Sequence, residues 1–222
     1  MSSPFSEWLV WQLADSAFPT GAFAHSFGLE AAHQHGEVRD GDELRVFLRA
    51  SLLQAGYSIV PLVNAAYRAP ERFADLDGLA DVFLTNPVAN RASRVQGRTL
   101  VATCGRIWPG EALSTFERSA RAGFAHLGPV TGVALRHVGA PLGVIQRLVV
   151  YLAGRGVLSA AVRLGIVGSY EAQRLQADSV ADLDRVLARC SQFDEGDLAQ
   201  PAPLIDLFQA GHDRLYSRLF QS

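Results

Sequence analysis

The sequence predicts an all-α fold, in the form of a single compact, bundle-like domain of about ten helices covering residues 1–222. Hydrophobic residues recur mostly at three- and four-residue spacing, and convincing runs of strict alternation are absent. The chain is 49% hydrophobic and has no long polar tract, which is enough for one sizeable core or for two closely joined helical halves. Glycines and prolines supply regular boundaries between the periodic stretches.

Capping residues and helix breakers set the expected elements of the first half. Pro19 ends the first helix and begins a loop over residues 19–26, and Gly36 closes a short second helix. Pro61 kinks or breaks a long third helix, and Asn86 caps another that starts at Pro87. The helices predicted from these signals cover residues 7–18, 27–35, 40–67, 75–83, 87–107 and 111–127.

The second half is predicted to centre on a buried helix. The stretch from Pro141 to Leu164 is apolar all round, which indicates a central helix, and Gly154 and Gly156 suggest a kink in it. Arginine and glutamine side chains interrupt this stretch, so no membrane span is expected. Further helices are expected from Pro129, over residues 169–190, and within residues 204–222, which form a C-terminal helix and tail.

Composition excludes several functional classes. The net charge of −2 produces no positive electrostatic field that would attract nucleic acid or an anionic membrane, so binding to either is not expected. All twenty basic residues are arginine. The chain therefore lacks the lysine that a P-loop or a pyridoxal phosphate enzyme requires. Cys104 and Cys190 form no metal-binding pattern and are expected to be buried thiols. The amino terminus does not resemble a signal peptide, so a cytoplasmic location is expected.

Two short motifs could carry chemistry, and both have simpler explanations. Glu30 and His33 match the Glu-x-x-His pattern of di-iron bundles, but that site needs a second copy, so an ordinary helix end with exposed polar groups is favoured. His25 and Ser26 lie in a sequence close to the hydrolase elbow GxSxG. A loop in which the Ser26 hydroxyl caps the following helix is favoured there. No catalytic, metal or cofactor residue is predicted.

Two other features could bind partners. Arg91, Arg94 and Arg98 share one helix face that can meet carboxylates or phosphates, or can be a solvated face with internal salt bridges. Aromatic and leucine residues continue almost to Ser222, although chain ends usually fray. Docking of this tail on the chain's own core and docking on a partner are equally compatible with the residue types.

Several blocks resemble one protein family. The segment 13–30, with Asp15-Ser16, Pro19-Thr20-Gly21, Phe23 and His25-Ser26-Phe27-Gly28-Leu29-Glu30 in order, resembles the amino-terminal signature of UreF, a urease accessory protein family. Three later blocks resemble the same family, so the resemblance spans essentially the whole chain; they are Gln96-Gly97-Arg98, residues 159–164 with Gly168 and Gln173, and residues 215–220 with Ser222. Gly168-Ser169 stands where the family commonly has Gly-Gln, so a contact by that glutamine is not carried over.

The resemblance implies an all-α, non-catalytic protein that forms a homodimer and binds UreD (also called UreH) and the GTPase UreG. In this family the complex helps to deliver nickel to the urease apoenzyme, and UreG hydrolyses the nucleotide. A helical hydrolase using Ser26 and a nickel-binding protein are the alternatives. The residues expected to contact partners are Phe23, His25, Glu30, Arg91, Arg94, Arg98, Tyr216, Arg218, Leu219 and Phe220.

Overall fold

The computed structural model describes residues 6–222 and, of Ala22, the backbone only. Twelve α-helices and four short 3-10 turns make up this part of the chain, which contains no β-strand, so the predicted all-α fold is confirmed. The helices are α1 Glu7–Ala14, α2 Leu29–Gln34, α3 Gly41–Ser58, α4 Val60–Arg68, α5 Phe73–Phe83, α6 Pro87–Ile107, α7 Glu111–Ala122, α8 Leu127–His137, α9 Leu142–Arg163, α10 Ser169–Asp178, α11 Val180–Cys190 and α12 Pro203–Gly211.

Two predicted helices are each divided in two. The break foreseen near Pro61 falls at Ile59, and Pro61 then occupies the first turn of α4, where its missing N–H costs nothing. The single helix predicted over residues 169–190 is wrong, because the chain breaks at Ser179 between α10 and α11. The Ser179 hydroxyl donates to the Gln176 carbonyl oxygen at 2.7 Å, a local bond that competes with helix continuation.

Three helix ends differ from the prediction. The first helix ends at Ala14 rather than at residue 18, and the Asp15 carboxylate then accepts a hydrogen bond from the Ala17 N–H at 2.7 Å. The seventh helix ends at Ala122, because Ala125 adopts a left-handed backbone (φ 61°) before α8 begins. The last helix ends at Gly211 and does not carry an apolar stripe to Leu219, since a 3-10 turn and an irregular tail follow.

The central helix α9 runs as one continuous helix through Gly154 and Gly156. These glycines allow close packing. A Cβ at Gly156 would lie 2.7 Å from the Phe27 ring, and one at Gly154 would lie 3.1 Å from a Leu52 methyl group. We conclude that both positions favour glycine because the Phe27 and Leu52 side chains pack directly against the helix backbone there.

The core consists of two hydrophobic clusters that share helices. From α9, Ile145 belongs to the first cluster and Val157 to the second, and α4 likewise contributes Val63 and Val60. Two stretches, 41–68 and Leu142–Arg163, are long and apolar enough to cross a membrane by composition alone. About half of each is buried inside the protein (56% and 50%), as expected for core helices.

Both cysteines are buried free thiols, as predicted. Burial raises the pKa of the Cys104 thiol to about 12, so this sulfur stays protonated at neutral pH and has little nucleophilic character.

Candidate protein-interaction site

The loop of residues 19–28 and the tail of residues 215–222 lie side by side, although they come from opposite ends of the chain. The Ser26 N–H donates to the Ser222 carbonyl oxygen at 2.6 Å, and the Gln221 N–H donates to the Ala24 carbonyl oxygen at 2.8 Å. The Ser26 hydroxyl also donates to the Ser222 carbonyl, at 3.1 Å. The predicted role of this hydroxyl as a helix cap is therefore wrong, and α2 begins after Gly28 without a side-chain cap.

The Glu30 carboxylate holds the tail from inside the protein. It accepts hydrogen bonds from the backbone N–H groups of Leu219 at 2.5 Å and Phe220 at 3.2 Å, and it lies 3.1 Å from His212 Nε2. Glu30 is only 2% exposed, so the prediction of an exposed polar helix end is wrong. A buried carboxylate is stable here because two backbone N–H groups donate to it and the His212 imidazole lies within hydrogen-bonding distance.

His25 fills the space between the loop and the tail. Its Nδ1 lies 2.5 Å from the Ser222 hydroxyl oxygen. Burial, with smaller contributions from the nearby His212 and Arg91, lowers the pKa of His25 to about 4, so this imidazole is neutral at pH 7. Within the described part of the chain, His25 Nε2 and His212 Nδ1 have no hydrogen-bond partner. The site therefore contains two buried imidazoles, each with one ring nitrogen that has no partner among the described residues.

The loop backbone is shaped to fit between α9 and α12. Phe27 adopts a left-handed conformation (φ 57°), which is strained for an aromatic residue, and Gly28 follows with φ 87°. A Cβ at Gly28 would lie 3.1 Å from backbone atoms of Ile205 and Gln209 in α12. These two residues turn the chain sharply where helix packing leaves no room for a side chain at position 28.

Large side chains remain exposed where the loop and tail meet. Tyr216 is fully exposed, Phe23 is 67% exposed and Leu219 is 52% exposed. The Arg163 guanidinium lies over the Phe23 ring at 3.9 Å and over the buried Phe220 ring at 4.1 Å, which links the loop to the tail. We name as the tail surface the residues Phe23, Arg163, Tyr216, Arg218 and Leu219.

The arginine row on α6 is connected to the tail by an ion pair. Arg91 donates to both carboxylate oxygens of Asp213, at 2.9 and 3.1 Å, and Arg218 lies 3.4 Å from the same group. Arg94 is stacked over the Phe124 ring at 5.2 Å. Arg98 is exposed on the same helix. The row therefore combines internal contacts with guanidinium groups that remain accessible.

The predicted partner-binding residues fall into two groups. His25, Glu30 and Phe220 are buried and position the tail, so they are not open to direct contact while the tail is docked. The others are at least partly exposed, and their contact with partners stays a prediction; they are Phe23, Arg91, Arg94, Arg98, Tyr216, Arg218 and Leu219.

Sequence reasoning did not select Arg163, His212 or Asp213 as members of the site. Arg163 lies in a block that carries the family resemblance, which was a usable signal. For His212 and Asp213 the only signal was a polar pair at the end of an apolar helix. Their roles depend on Glu30 and Arg91, which are distant in sequence.

The structure forms neither of the sites that the two short motifs suggested, a metal site at Glu30 and His33 or a hydrolase site at Ser26. Glu30 turns inward to the tail, whereas His33 Nδ1 lies 2.7 Å from the Val38 carbonyl oxygen, so the two do not converge on one metal position. Across residues 6–222, no three histidine, cysteine or acidic side chains are grouped to hold a metal ion. The Ser26 hydroxyl is buried and bonded to a carbonyl.

Comparison with known proteins gives a consistent picture. The family model described as UreF matches residues 38–180. The urease accessory protein F of Oryza sativa subsp. indica is 35% identical over 97% of this chain and 85% of its own. The protein of the same name from Arabidopsis thaliana is 34% identical over all of this chain and 95% of its own.

A bacterial relative agrees with these matches. The urease accessory protein UreF of Trichodesmium erythraeum is 33% identical over 99% of both chains. The family model covers well over half of the chain, and the relatives cover nearly all of it. The resemblance read from the sequence is confirmed, and this chain belongs to the UreF family of urease accessory proteins.

Proposed function

We propose that this chain is a non-catalytic scaffold in urease maturation, which bridges UreD (UreH) and the GTPase UreG in a complex that delivers nickel to the urease apoenzyme. It acts in the cytoplasm as a homodimer. Residues 1–222 form one domain, and residues 204–222 serve as the helix and tail that dock on UreD. Membership in a family of urease accessory proteins supports the maturation role.

The tail surface is the observation that carries this proposal. Tyr216, Leu219 and Phe23 present large apolar groups to solvent, whereas the Leu219 N–H donates to the Glu30 carboxylate and the Phe23 carbonyl oxygen accepts a hydrogen bond from Arg163. Rigidly held aromatic and leucine side chains of this kind are typical of interface anchors, because little entropy is lost when they bind. Arg218 supplies a cation at the same place.

The hydrogen bonds of the potentially reactive side chains support a non-catalytic role. The Ser26 hydroxyl and the Glu30 carboxylate are both used to hold the tail. Without a lysine, the chain has no P-loop of its own, so nucleotide hydrolysis belongs to a partner.

The test is co-purification with UreD and UreG counterparts, followed by size exclusion with light scattering. A double variant, Tyr216→Ala with Leu219→Ala, removes two exposed side chains without touching the bonds that hold the tail. The matched control is Tyr170→Ala with Val180→Ala, since these residues are 91% and 53% exposed on α10 and α11, outside residues 204–222. We expect the tail variant to lose UreD and the control to keep both partners.

Two outcomes would contradict parts of the proposal. If the tail variant and the control capture partners equally well, the tail surface is not the docking site. If the wild-type chain binds neither partner, the scaffold role is wrong. Ser26→Ala, tested for urease activation, and equilibrium dialysis against nickel would then decide between the hydrolase and the nickel-binding alternatives. The mass from light scattering tests the homodimer directly.

A further inference from the structure

A groove of about 630 Å³ runs along α6, beside the end of α5. Arg91, Arg94 and Arg98 line it together with the apolar residues Leu84 and Val95. The three arginines lie within two helical turns and span about 10 Å at a rise of about 1.5 Å per residue. We call this feature the α6 groove. It combines a row of cations with apolar surface, in a protein whose net charge is −2.

The acidic group in the groove is already engaged, whereas the basic groups are largely available. The Asp81 carboxylate lies 2.9 Å from Asn90 Nδ2 and 3.1 Å from His126 Nε2. Asp81 is one carboxylate beside three guanidinium groups, so it lowers the positive charge near Arg94 without cancelling the row. Within residues 6–222, Arg98 forms no ion pair, and Arg94 is held only by its stacking on Phe124. Positive charge therefore dominates the open part of the groove.

One carboxylate of the chain itself already binds at the end of the groove. Asp213 receives two hydrogen bonds from Arg91 and lies near Arg218. Both partners of the Arg91–Asp213 pair are about half exposed (50% and 43%), and such exposed pairs contribute less than about 1 kcal/mol. An incoming acidic chain could replace Asp213 at little cost, and the geometry at Arg91 is suited to a carboxylate.

We infer that the α6 groove binds an acidic helix of a partner protein, with carboxylates three or four residues apart facing Arg91, Arg94 and Arg98. Asp213, in the 3-10 turn before the tail, pairs with Arg91 until that helix displaces it, so this turn competes weakly for the groove. The inference rests on the proposed function only in that the partner is a protein. Nucleic acid fits less well, because a single row of three arginines beside apolar residues does not follow a phosphate backbone.

The inference can be tested with a synthetic peptide and purified full-length protein. The probe is a fluorescein-labelled helical peptide with glutamates at positions i, i+3 and i+7, and binding is followed by fluorescence anisotropy. The same peptide with glutamines is the first control. We expect saturable binding of the acidic peptide only, with an affinity that falls as salt is raised.

Variants of the protein locate the binding to the groove. Arg98→Glu, at a position without an internal ion pair, should weaken binding at least about tenfold, a loss of about 1.4 kcal/mol. Asp213→Asn removes the internal competitor and should strengthen binding about two- to fivefold, as expected for an exposed pair. Arg118→Glu makes the same charge change on α7, outside the groove, and should have no effect. Circular dichroism checks that every variant is folded.

Three results would overturn the inference. These are equal binding of the glutamine peptide, equal losses in Arg98→Glu and Arg118→Glu, and tighter binding of a single-stranded oligonucleotide of matched charge. A negative result in the peptide experiment would not affect the proposed scaffold role, because the co-purification experiment tests that role through Tyr216 and Leu219. If the peptide binds but UreD and UreG do not, the groove stands and the scaffold role fails.

Discussion

At position 97, only a hydrogen atom fits as a side chain. A Cβ there would lie 2.0 Å from the Ala125 carbonyl oxygen, far inside van der Waals contact. The opposing backbone cannot retreat, because the Asp77 carboxylate accepts hydrogen bonds from the N–H groups of Phe124, Ala125 and His126. The glycine of the Gln96-Gly97-Arg98 block is thus required by the contact between α6 and the start of α8.

We predict that Gly97→Ala lowers the free energy of unfolding by about 2–3 kcal/mol, the upper part of the range for overpacked positions. The measurement is urea denaturation followed by circular dichroism. Gly78→Ala is the matched control, because Gly78 is also inside a helix and nothing would touch its Cβ. That control should be neutral or stabilise by up to about 1 kcal/mol. Equal stability of the two variants would disprove the packing argument.

His25 gives the protein a specific sensitivity to acid. Its pKa in the folded state is about 4, against an ordinary value of 6.5, because burial disfavours the charged imidazole. As pH falls below 6.5 the unfolded chain binds a proton that the folded chain does not, so stability is lost between pH 6.5 and 4. The loss ends once the folded form is protonated as well.

We predict that His25→Asn reduces this acid dependence, since asparagine does not titrate and its amide can still reach the Ser222 hydroxyl. The wild type should lose up to about 3 kcal/mol more than the variant between pH 6.5 and 4, at about 1.4 kcal/mol per pKa unit. The measurement is the free energy of unfolding of both proteins at several pH values between 4 and 6.5. Parallel pH profiles for the two proteins would mean that His25 is not the responsible group.

Single residues also mark the limit of sequence reasoning. The buried thiols, the Asn86 cap and the shared face of the three arginines follow from local rules and were predicted. Glu30 and Ser26 were assigned to a helix end and a cap because their true partners, Leu219 and Ser222, are 189 and 196 positions away. Local patterns contain no information on such contacts.

At the scale of elements, the tail depends on one helix residue. Glu30, in the first turn of α2, accepts two backbone hydrogen bonds from the tail and lies next to His212 of the turn after α12. Replacing its carboxylate by an amide removes one acceptor and places N–H groups against N–H groups. The packed helices would stay in place, because the tail contributes little to the two core clusters beyond Phe220.

We predict that Glu30→Gln weakens tail docking by about 2–3 kcal/mol, typical of hydrogen bonds to a charged group. Hydrogen exchange at the Leu219 and Phe220 amides should speed up, and trypsin should cleave sooner after Arg214 and Arg218. Glu37→Gln, at an exposed position after α2, is the control and should behave as wild type. Unchanged exchange in Glu30→Gln would show that the tail is held by other contacts.

Helix existence was more predictable than helix ends. Periodicity located nearly every helix, and prolines and glycines located most starts. The break at Ser179 and the end of α12 at Gly211 were missed, because no proline or left-handed glycine marks them. At Ser179 the side-chain hydroxyl donates to the Gln176 carbonyl oxygen, and after Gly211 the chain continues as a 3-10 turn, so other bonds replace the helical ones.

At the scale of the whole molecule, two hydrophobic clusters share their central helices. Ile145 and Leu158 lie on α9 in the first and second cluster, respectively. Unfolding of one cluster would therefore remove helices that also pack against the other. The proposal that residues 1–222 form one domain therefore implies that the clusters unfold together.

We predict a single unfolding transition for the wild type, with the same midpoint by tryptophan fluorescence and far-ultraviolet circular dichroism. Ile145→Ala and Leu158→Ala should each lower the stability of that one transition by about 2–5 kcal/mol, although they lie in different clusters. Two separate midpoints, or a variant that shifts only one probe, would show that the clusters are independent domains.

The way the tail is held has a consequence for protein engineering. Leu219 and Gln221 are anchored through their peptide nitrogens, which every residue except proline provides. Their side chains, like those of Tyr216 and Arg218, are exposed to solvent. Under the proposal that this surface contacts a partner, substitutions at these four positions would change recognition without loosening the tail, which would allow orthogonal pairs of scaffold and partner to mature two ureases separately in one cell.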